Sequence, residues 1–285
     1  MDVDDAVERL WPDRGVRVSP LGGGITNHNF KVEVDDQTFV LRISGAQTRV
    51  LGIDREVEHQ ANLRAAELGI GPPVAAFVPE RGWLVTRFIE GAPIPPQRMK
   101  EPEVVRRVAA TLKKFHDSAP IPGRFDSFAV VEQYRRDSEA RGVVVPDAYE
   151  AAEEPADRIR AERGAQPEAP CHNDLLNANF IDDGAIRIVD WEYAGMGDRF
   201  FDLANFSVNQ DFGEEEDVVF LTAYFGDAAA YRLRDLRMMK VMSDLREAMW
   251  GVLQSGISEL EFDFKGYAAK HFERLAANAN ALPIV

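Results

Sequence analysis

The chain has 285 residues, 45% of them apolar and 28% charged, which bounds it to one domain or two closely packed lobes of ordinary globular composition. Its 48 acidic against 33 basic residues give a formal net charge of −15, which disfavours nucleic acid or an anionic membrane as a partner and mildly favours a cationic ligand. No apolar run approaches the roughly 20 residues that span a bilayer, and the acidic, amphipathic MDVDDAVERLW is unlike a secretory signal. A single cysteine, Cys171, excludes an internal disulfide framework and makes a reducing cytoplasm the expected home.

The first ninety residues read as strands with one helix. VRVSPL (16–21), NFKVEV (29–34) and TFVLRIS (38–44) are rich in β-branched and aromatic residues, and DDQ turns the chain between the last two. DREVEHQANLRAAELGI predicts a helix with Asp54 as N-cap, a stop near Gly69 and Gly71, and Val57, Ala61, Ala65 and Leu68 on its inward side. GWLVTRFIEG (82–91) reads as a further strand, and the Gly- and Pro-rich GAPIPP (91–96) as a crossing between lobes. From residue 101 the pattern turns helical, with Val104, Val105, Val108, Leu112 and Phe115 at helical spacing. Residues 141 to 169, poor in apolar side chains, predict a helix flanked by exposed connections. Leu236, Met239, Met242, Leu245, Met249 and Leu253 form one apolar stripe of the core. The expected architecture is therefore α+β: a small, mainly β lobe (1–90), a larger, mainly helical lobe (91–285), and a ligand cleft between them.

CHNDLLNANFIDDGAIRIVDWE (171–192) carries the chemistry. NFI and AIRIVD flank DDG, a strong hairpin signal. In such a hairpin Asn179 and Asp190 meet at the open end. One amide oxygen and one carboxylate, with phosphate oxygens and water, suit a hard cation such as Mg²⁺. Asp174, five residues upstream in the loop leading in, can face the same spot and accept or orient a hydroxyl proton. His172 would anchor that loop through its ring nitrogens. Taken alone, the trio could equally be an acidic hairpin with a capping aspartate.

A second feature favours chemistry. LGGGITNHNF (21–30) sets Gly22, Gly23 and Gly24, then Thr26 and Asn27, between two strands. Glycines let a backbone approach phosphate and aim its N–H groups at the oxygens. The run is neither a Walker A motif nor a dinucleotide fingerprint, since it lacks the GK[ST] ending and the following helix. Phosphates under a glycine loop, a metal at the hairpin and a hydroxyl at Asp174 together describe phosphoryl transfer. That chemistry asks for a cation on the third strand, for which Arg42 is the candidate, and a pairing acid on the next helix. Glu58, at the edge of the inward stripe, is chosen over Glu56, which reads as a surface charge.

These residues resemble the choline/ethanolamine kinases, within the aminoglycoside-phosphotransferase group of protein-kinase-like enzymes. LGGGITNHNF looks like that family's glycine loop, HNDLLNANFI like its H-x-D-x₄-N catalytic loop, and IVDWEYAGMGDRFFDLANF like its metal-binding segment. MWGVLQSGISELEFDFKGYAAKHF resembles the choline kinase tail, and the likeness runs from about residue 20 to 275. It implies a two-lobed kinase-like fold and an ATP- and Mg²⁺-dependent kinase with Asp174 as base and Asn179 and Asp190 as metal ligands. Arg42 stands where most kinase-like enzymes have lysine and can still grip phosphate bidentately. Phe88 and Ile89 fall at the hinge that receives adenine, and Asp202 is expected to cap a helix and support the catalytic loop.

By the same resemblance Trp250 and Tyr267 box a quaternary ammonium, with Tyr193 as a further wall. Two positions depart from the family. Asn209 replaces an acid, and Glu247 replaces a tryptophan while supplying a charge that suits a smaller or primary ammonium. The implied substrate is a small cationic alcohol, choline or ethanolamine first. An aminoglycoside, thiamine or other sugar-like alcohol is the rival acceptor, and a nucleotide-binding pseudoenzyme or scaffold the rival class. The sequence leaves the oligomeric state open, a homodimer among the options.

Overall fold

The computed structural model describes residues 3–22, 27–45 and 47–282. The chain begins with α1 (Val3–Leu10), then forms the meander β1 (Val16–Leu21), β2 (Asn27–Val34) and β3 (Gln37–Ser44). Helix α2 (Arg55–Glu67) follows, then β4 (Val74–Val78) and β5 (Trp83–Arg87). The five strands make one antiparallel sheet in the order β1-β2-β3-β5-β4. Alternation along β2 and β3 sends Val32, Val34, Phe39, Leu41 and Ile43 to one face, where they pack with Trp83, Val85 and Ala6 of α1. Because Leu41 and Ile43 face that small core, Arg42 between them must point from the opposite face.

Two elements of this lobe were not read from the sequence. Helix α1 buries Ala6 with Leu10 and Trp11 against the sheet, so the lobe has two helices rather than one. Strand β4 is an edge strand beside β5. The strand expected over 82–91 stops at Arg87. Its last pairing is Phe39 with Arg87, and the Phe88 N–H still donates to Thr38 O (3.0 Å) before a tight turn, Gly91 N–H to Ile89 O (2.9 Å), swings the chain away.

The Asp54 carboxylate caps α2, accepting from the backbone N–H groups of Glu56 (2.9 Å) and Val57 (3.2 Å). The inward face of α2 does not join the sheet's core. Ala61 and Ala65 belong to the large core that also holds Ile70, Ile188 and Trp191. Gly71 makes that contact close, since a Cβ there would lie 2.9 Å from the Ala65 methyl.

The crossing carries β6 (Ala92–Pro93), and α3 (Pro102–His116), α4 (Ser127–Ala140) and α5 (Asp147–Arg163) follow. Then come β7 (Glu168–Cys171), the hairpin β8 (Phe180–Asp182) and β9 (Ile186–Ile188), β10 (Gly195–Asp198), α6 (Arg199–Asn209), α7 (Glu214–Phe225), α8 (Ala230–Ile257) and α9 (Phe264–Asn280). β6 pairs with β8, making a three-stranded sheet with β9, and β7 pairs with β10. The stripe from Leu236 to Leu253 is wholly buried on α8, against which α4, α6 and α9 pack. Among the described residues no helix is long and apolar enough to cross a membrane.

Candidate active site

The site is built around the loop that leaves β7. Asn173 and Asp190 both adopt left-handed backbone conformations, φ 67° and 66°, which Asn and Asp tolerate better than most side chains. The loop is held mainly by its backbone. Asp202, fully buried in the first turn of α6, accepts from the N–H groups of His172 (2.7 Å) and Asn173 (2.6 Å) and from the His116 ring (Nε2, 2.9 Å). The other His116 nitrogen accepts from the Tyr224 hydroxyl (2.6 Å). The helix cap expected of Asp202 belongs to Asp198, whose carboxylate accepts from Phe200 N–H (2.9 Å). Asp202 lies a turn further in, where its oxygens reach across to the loop instead. Asn205 Oδ1 accepts from Leu175 N–H (2.5 Å).

His172 ties the loop to the hairpin. Its Nδ1 accepts from Asp174 N–H (3.2 Å), so its proton sits on Nε2 and is donated to Val189 O (3.0 Å). Burial lowers its pKa and keeps the ring neutral. Asn179 donates from Nδ2 to Asp174 O (2.8 Å), and Val189 N–H donates to Asn179 O (3.0 Å). The hairpin register thus sets Asn179 across from Val189, beside Asp190, with the Asn179 side-chain Nδ2 committed to Asp174 O.

No hydrogen bond occupies the Asp190 carboxylate among the described residues, and its pKa is pushed up to about 7 by burial and by Glu192, against the pull of Arg42 and Arg55. A carboxylate short of proton donors beside an amide oxygen is an oxygen-donor pair that fits a hard divalent cation. Asp174 is 8% exposed. Burial pushes its pKa up to about 8; Arg246 opposes this, while Glu247, Asp190 and Glu192 add to it.

On the sheet side Arg42 and Glu58 form a buried ion pair, whereas Glu56 is exposed and bonds Gln60 (3.0 Å). Burial and the neighbouring Arg55 charge lower the Arg42 pKa to about 10. Arg55 donates to Glu58 (2.6 Å), Glu192 (3.1 Å) and Asn27 Oδ1 (2.8 Å), and Asn27 Nδ2 donates to Glu192 (2.8 Å). The start of β2 is therefore tied to the segment that follows Asp190. Gly22 is described; Gly23, Gly24 and Thr26 lie outside the described residues. Phe88 and Ile89 are half-buried in the connection after β5, with Lys31 Nζ 4.9 Å from the Phe88 ring centre.

The other side of Asp174 is formed by α8, α9 and the segment after the hairpin. Trp250 Nε1 donates to the Tyr193 hydroxyl (3.0 Å), and the Trp250 and Tyr267 rings meet edge-on at 5.6 Å. The Tyr267 hydroxyl donates to Glu247 Oε2 (2.7 Å), and Arg246 Nη1 donates to Glu247 Oε1 (2.5 Å). Burial would raise the Glu247 carboxyl, but Arg246, His271 and Tyr267 hold it below its ordinary value. Asn209, at the end of α6, reaches Leu175 O (3.5 Å), and no hydrogen bond joins it to Trp250 or Tyr267 among the described residues. Trp250, Tyr193, Tyr267 and Glu247 thus share one wall, and Asn209 borders the loop.

Sequence reasoning missed Arg55, His116, Glu192 and Arg246. Glu192 stands two residues after Asp190. Arg246 has a signal too: Ser243, Asp244, Arg246 and Glu247 interrupt a helix that is apolar on several faces, so they cannot all reach water.

The profile of the phosphotransferase enzyme family matches residues 17–237. A choline/ethanolamine kinase family protein from Mesorhizobium loti superimposes with a TM-score of 0.82 at 32% identity, covering 98% of this chain and 95% of that one. The chain belongs to the choline/ethanolamine kinase family of phosphotransferases. Human ethanolamine kinase 2 is 28% identical, with 93% of this chain and 76% of that protein covered. A structure of LicA in complex with AMP, 22% identical, shares the fold with a TM-score of 0.81 over 99% of this chain and 98% of that one. The architecture is the two-lobed, protein-kinase-like fold. Membership of this family makes the protein a small-molecule phosphotransferase with an alcohol acceptor.

Proposed function

We propose that the protein transfers the γ-phosphate of ATP to the hydroxyl of a small amino alcohol of the choline or ethanolamine type. The observation that carries this reading is the position of Asp174. It stands between an oxygen-donor pair, Asn179 and Asp190, and a wall of Trp250, Tyr193 and Tyr267 backed by Glu247. Aromatic faces attract an ammonium group by about 0.5–2 kcal/mol per contact, and the acid behind them adds charge of the matching sign.

In this reading residues 1–90 carry the nucleotide and 91–285 the acceptor, with 91–96 as the crossing. Gly22, Gly23, Gly24, Thr26 and Asn27 approach the phosphates, Phe88 and Ile89 flank the adenine, and the Arg42–Glu58 pair presents the Arg42 charge to phosphate oxygens. The AMP complex of LicA, a protein of the same fold, supports nucleotide binding. Asn179 and Asp190 would hold Mg²⁺, which when bound neutralises charge on the phosphate oxygens. Asp174 takes the proton as the acceptor oxygen bonds to the γ-phosphorus and ADP leaves. His172, Asp202 and Asn205 hold the loop that presents it.

Turnover of ATP against choline, ethanolamine, thiamine, an aminoglycoside and no acceptor tests the assignment. Strong stimulation by choline or ethanolamine is expected. Stimulation only by thiamine or the aminoglycoside would move the acceptor to a larger alcohol, and bound ATP with no stimulation by any would sink the amino-alcohol reading. Asp174→Ala should fold normally and lose roughly 10²–10⁴-fold in turnover; near-normal activity would remove Asp174 from the mechanism.

A further inference from the structure

Among the described residues, every hydrogen bond that shapes the catalytic loop from α6, His172 and Asn179 goes to a backbone atom: His172 N, Asn173 N, Asp174 N and O, and Leu175 N and O. These bonds fix where the Asp174 Cα stands and leave its carboxylate free to rotate. Among the described residues the carboxylate itself is held by one side chain, Arg246, whose Nη1 donates to Oδ1 at 3.1 Å.

Arg246 is 1% exposed on α8, and its guanidinium carbon lies 4.3 Å from the Tyr193 ring centre. The same Nη1 grips Glu247 Oε1, while Nε and Nη2 have no hydrogen-bond partner among the described residues. A guanidinium offers five N–H donors, and burying one with an edge unpaired is costly. A helix built only for packing would not place this side chain here. Its polar contacts run through one nitrogen to two carboxylates, one on the catalytic loop and one on the aromatic wall.

We propose that Arg246 is a positioning residue for phosphoryl transfer: by holding Oδ1 it turns Oδ2 of Asp174 toward the acceptor hydroxyl, and through Glu247 it ties that orientation to the acceptor wall. The proposal rests on the reading of Asp174 as the base. Loss of the contact should therefore fall on the chemical step rather than on nucleotide binding, since a small misplacement of a reacting group can cost on the order of 10²-fold.

A double-mutant cycle tests it, with kcat, both KM values and thermal unfolding measured for Arg246→Lys, Asp174→Asn and the double variant. Arg246→Lys should lower kcat by about 10–100-fold with the ATP KM unchanged, yet cost less than about 2-fold when Asp174 is already Asn, because the two act as a unit. An equal loss in both backgrounds, or an unchanged kcat, would overturn the proposal. If Arg246→Lys does not fold, Glu247→Gln serves in the same cycle: it should lower kcat more in the wild-type than in the Asp174→Asn background, and equal losses would again overturn it. Near-full turnover in Asp174→Asn alone identifies the other failure, that of the base assignment, and the proposal falls with it.

Discussion

The loop that carries Asp174 and the aromatic wall of Trp250, Tyr193 and Tyr267 are linked through Arg246 but held by different means. The loop is positioned through its backbone, by Asp202, His172 and Asn205, so its geometry depends on N–H groups that any sequence would supply. The wall is positioned side chain to side chain, Trp250 to Tyr193, Tyr267 to Glu247, Glu247 to Arg246. A backbone-held loop is all-or-none, because losing its acceptor orphans several buried donors at once. A side-chain wall can change by single residues and retune affinity while the chemistry stays.

The largest expected effect follows from that contrast. Asp202→Ala would leave three buried donors, from His172, Asn173 and His116, without their acceptor. At about 1–3 kcal/mol per unsatisfied group, the loss should be at least 3 kcal/mol in urea unfolding and should abolish turnover. Less than about 1 kcal/mol would mean the loop is held by something else.

Trp250→Ala belongs to the other side of the comparison. It should raise the acceptor KM by roughly 2–30-fold, the worth of one cation–π contact, and leave the ATP KM within about 2-fold. Equal shifts in both constants would make Trp250 a packing residue and erase the distinction between loop and wall.

The smallest effect is on stability against pH. Before metal and substrates bind, the Asp174 carboxyl, raised to about 8 in the folded protein, keeps a proton that the unfolded chain releases near its ordinary value. With more protons bound in the native state, its contribution to stability falls as pH rises between those two values. Asp174→Asn should thus be more stable than the wild type without nucleotide, by a margin that grows from about pH 5 to about pH 8. Urea unfolding at both pH values measures it; a margin that shrinks would show that Arg246 outweighs burial.

The parts of the site visible in sequence were those where chemistry is written at fixed short spacing. Asp174, Asn179 and Asp190 fall within seventeen residues, and the DDG turn dictates that the last two converge. The Arg42–Glu58 ion pair was legible because phosphoryl transfer asks for a cation on the third strand, and helical periodicity sets Glu58 at the edge of the inward stripe. Helix α1 is amphipathic, but eight residues are too few to be stable alone, and it forms because the sheet covers Ala6, Leu10 and Trp11. The cap given to Asp202 failed because Asp198 and Asp202 both open α6, and only the position of the loop decides which of them faces it. The glycine run at 23–24 and Thr26 lie outside the described residues.

From its own residues the chain determined the alternation of its strands, the stripes of α3 and α8, the cap of α2 and the hairpin that brings Asn179 toward Asp190. These follow from interactions over a few residues, where backbone geometry leaves little choice. The tertiary structure decided that α2 buries in the large lobe's core, that Asn27 and Arg55 meet Glu192, and that Arg246 lies against Asp174. Asp174 and Arg246 are 72 residues apart, and nothing local relates two such charges. They meet because the apolar stripe of α8 sinks the whole helix into the core, and a buried charge must then find its partner across the fold.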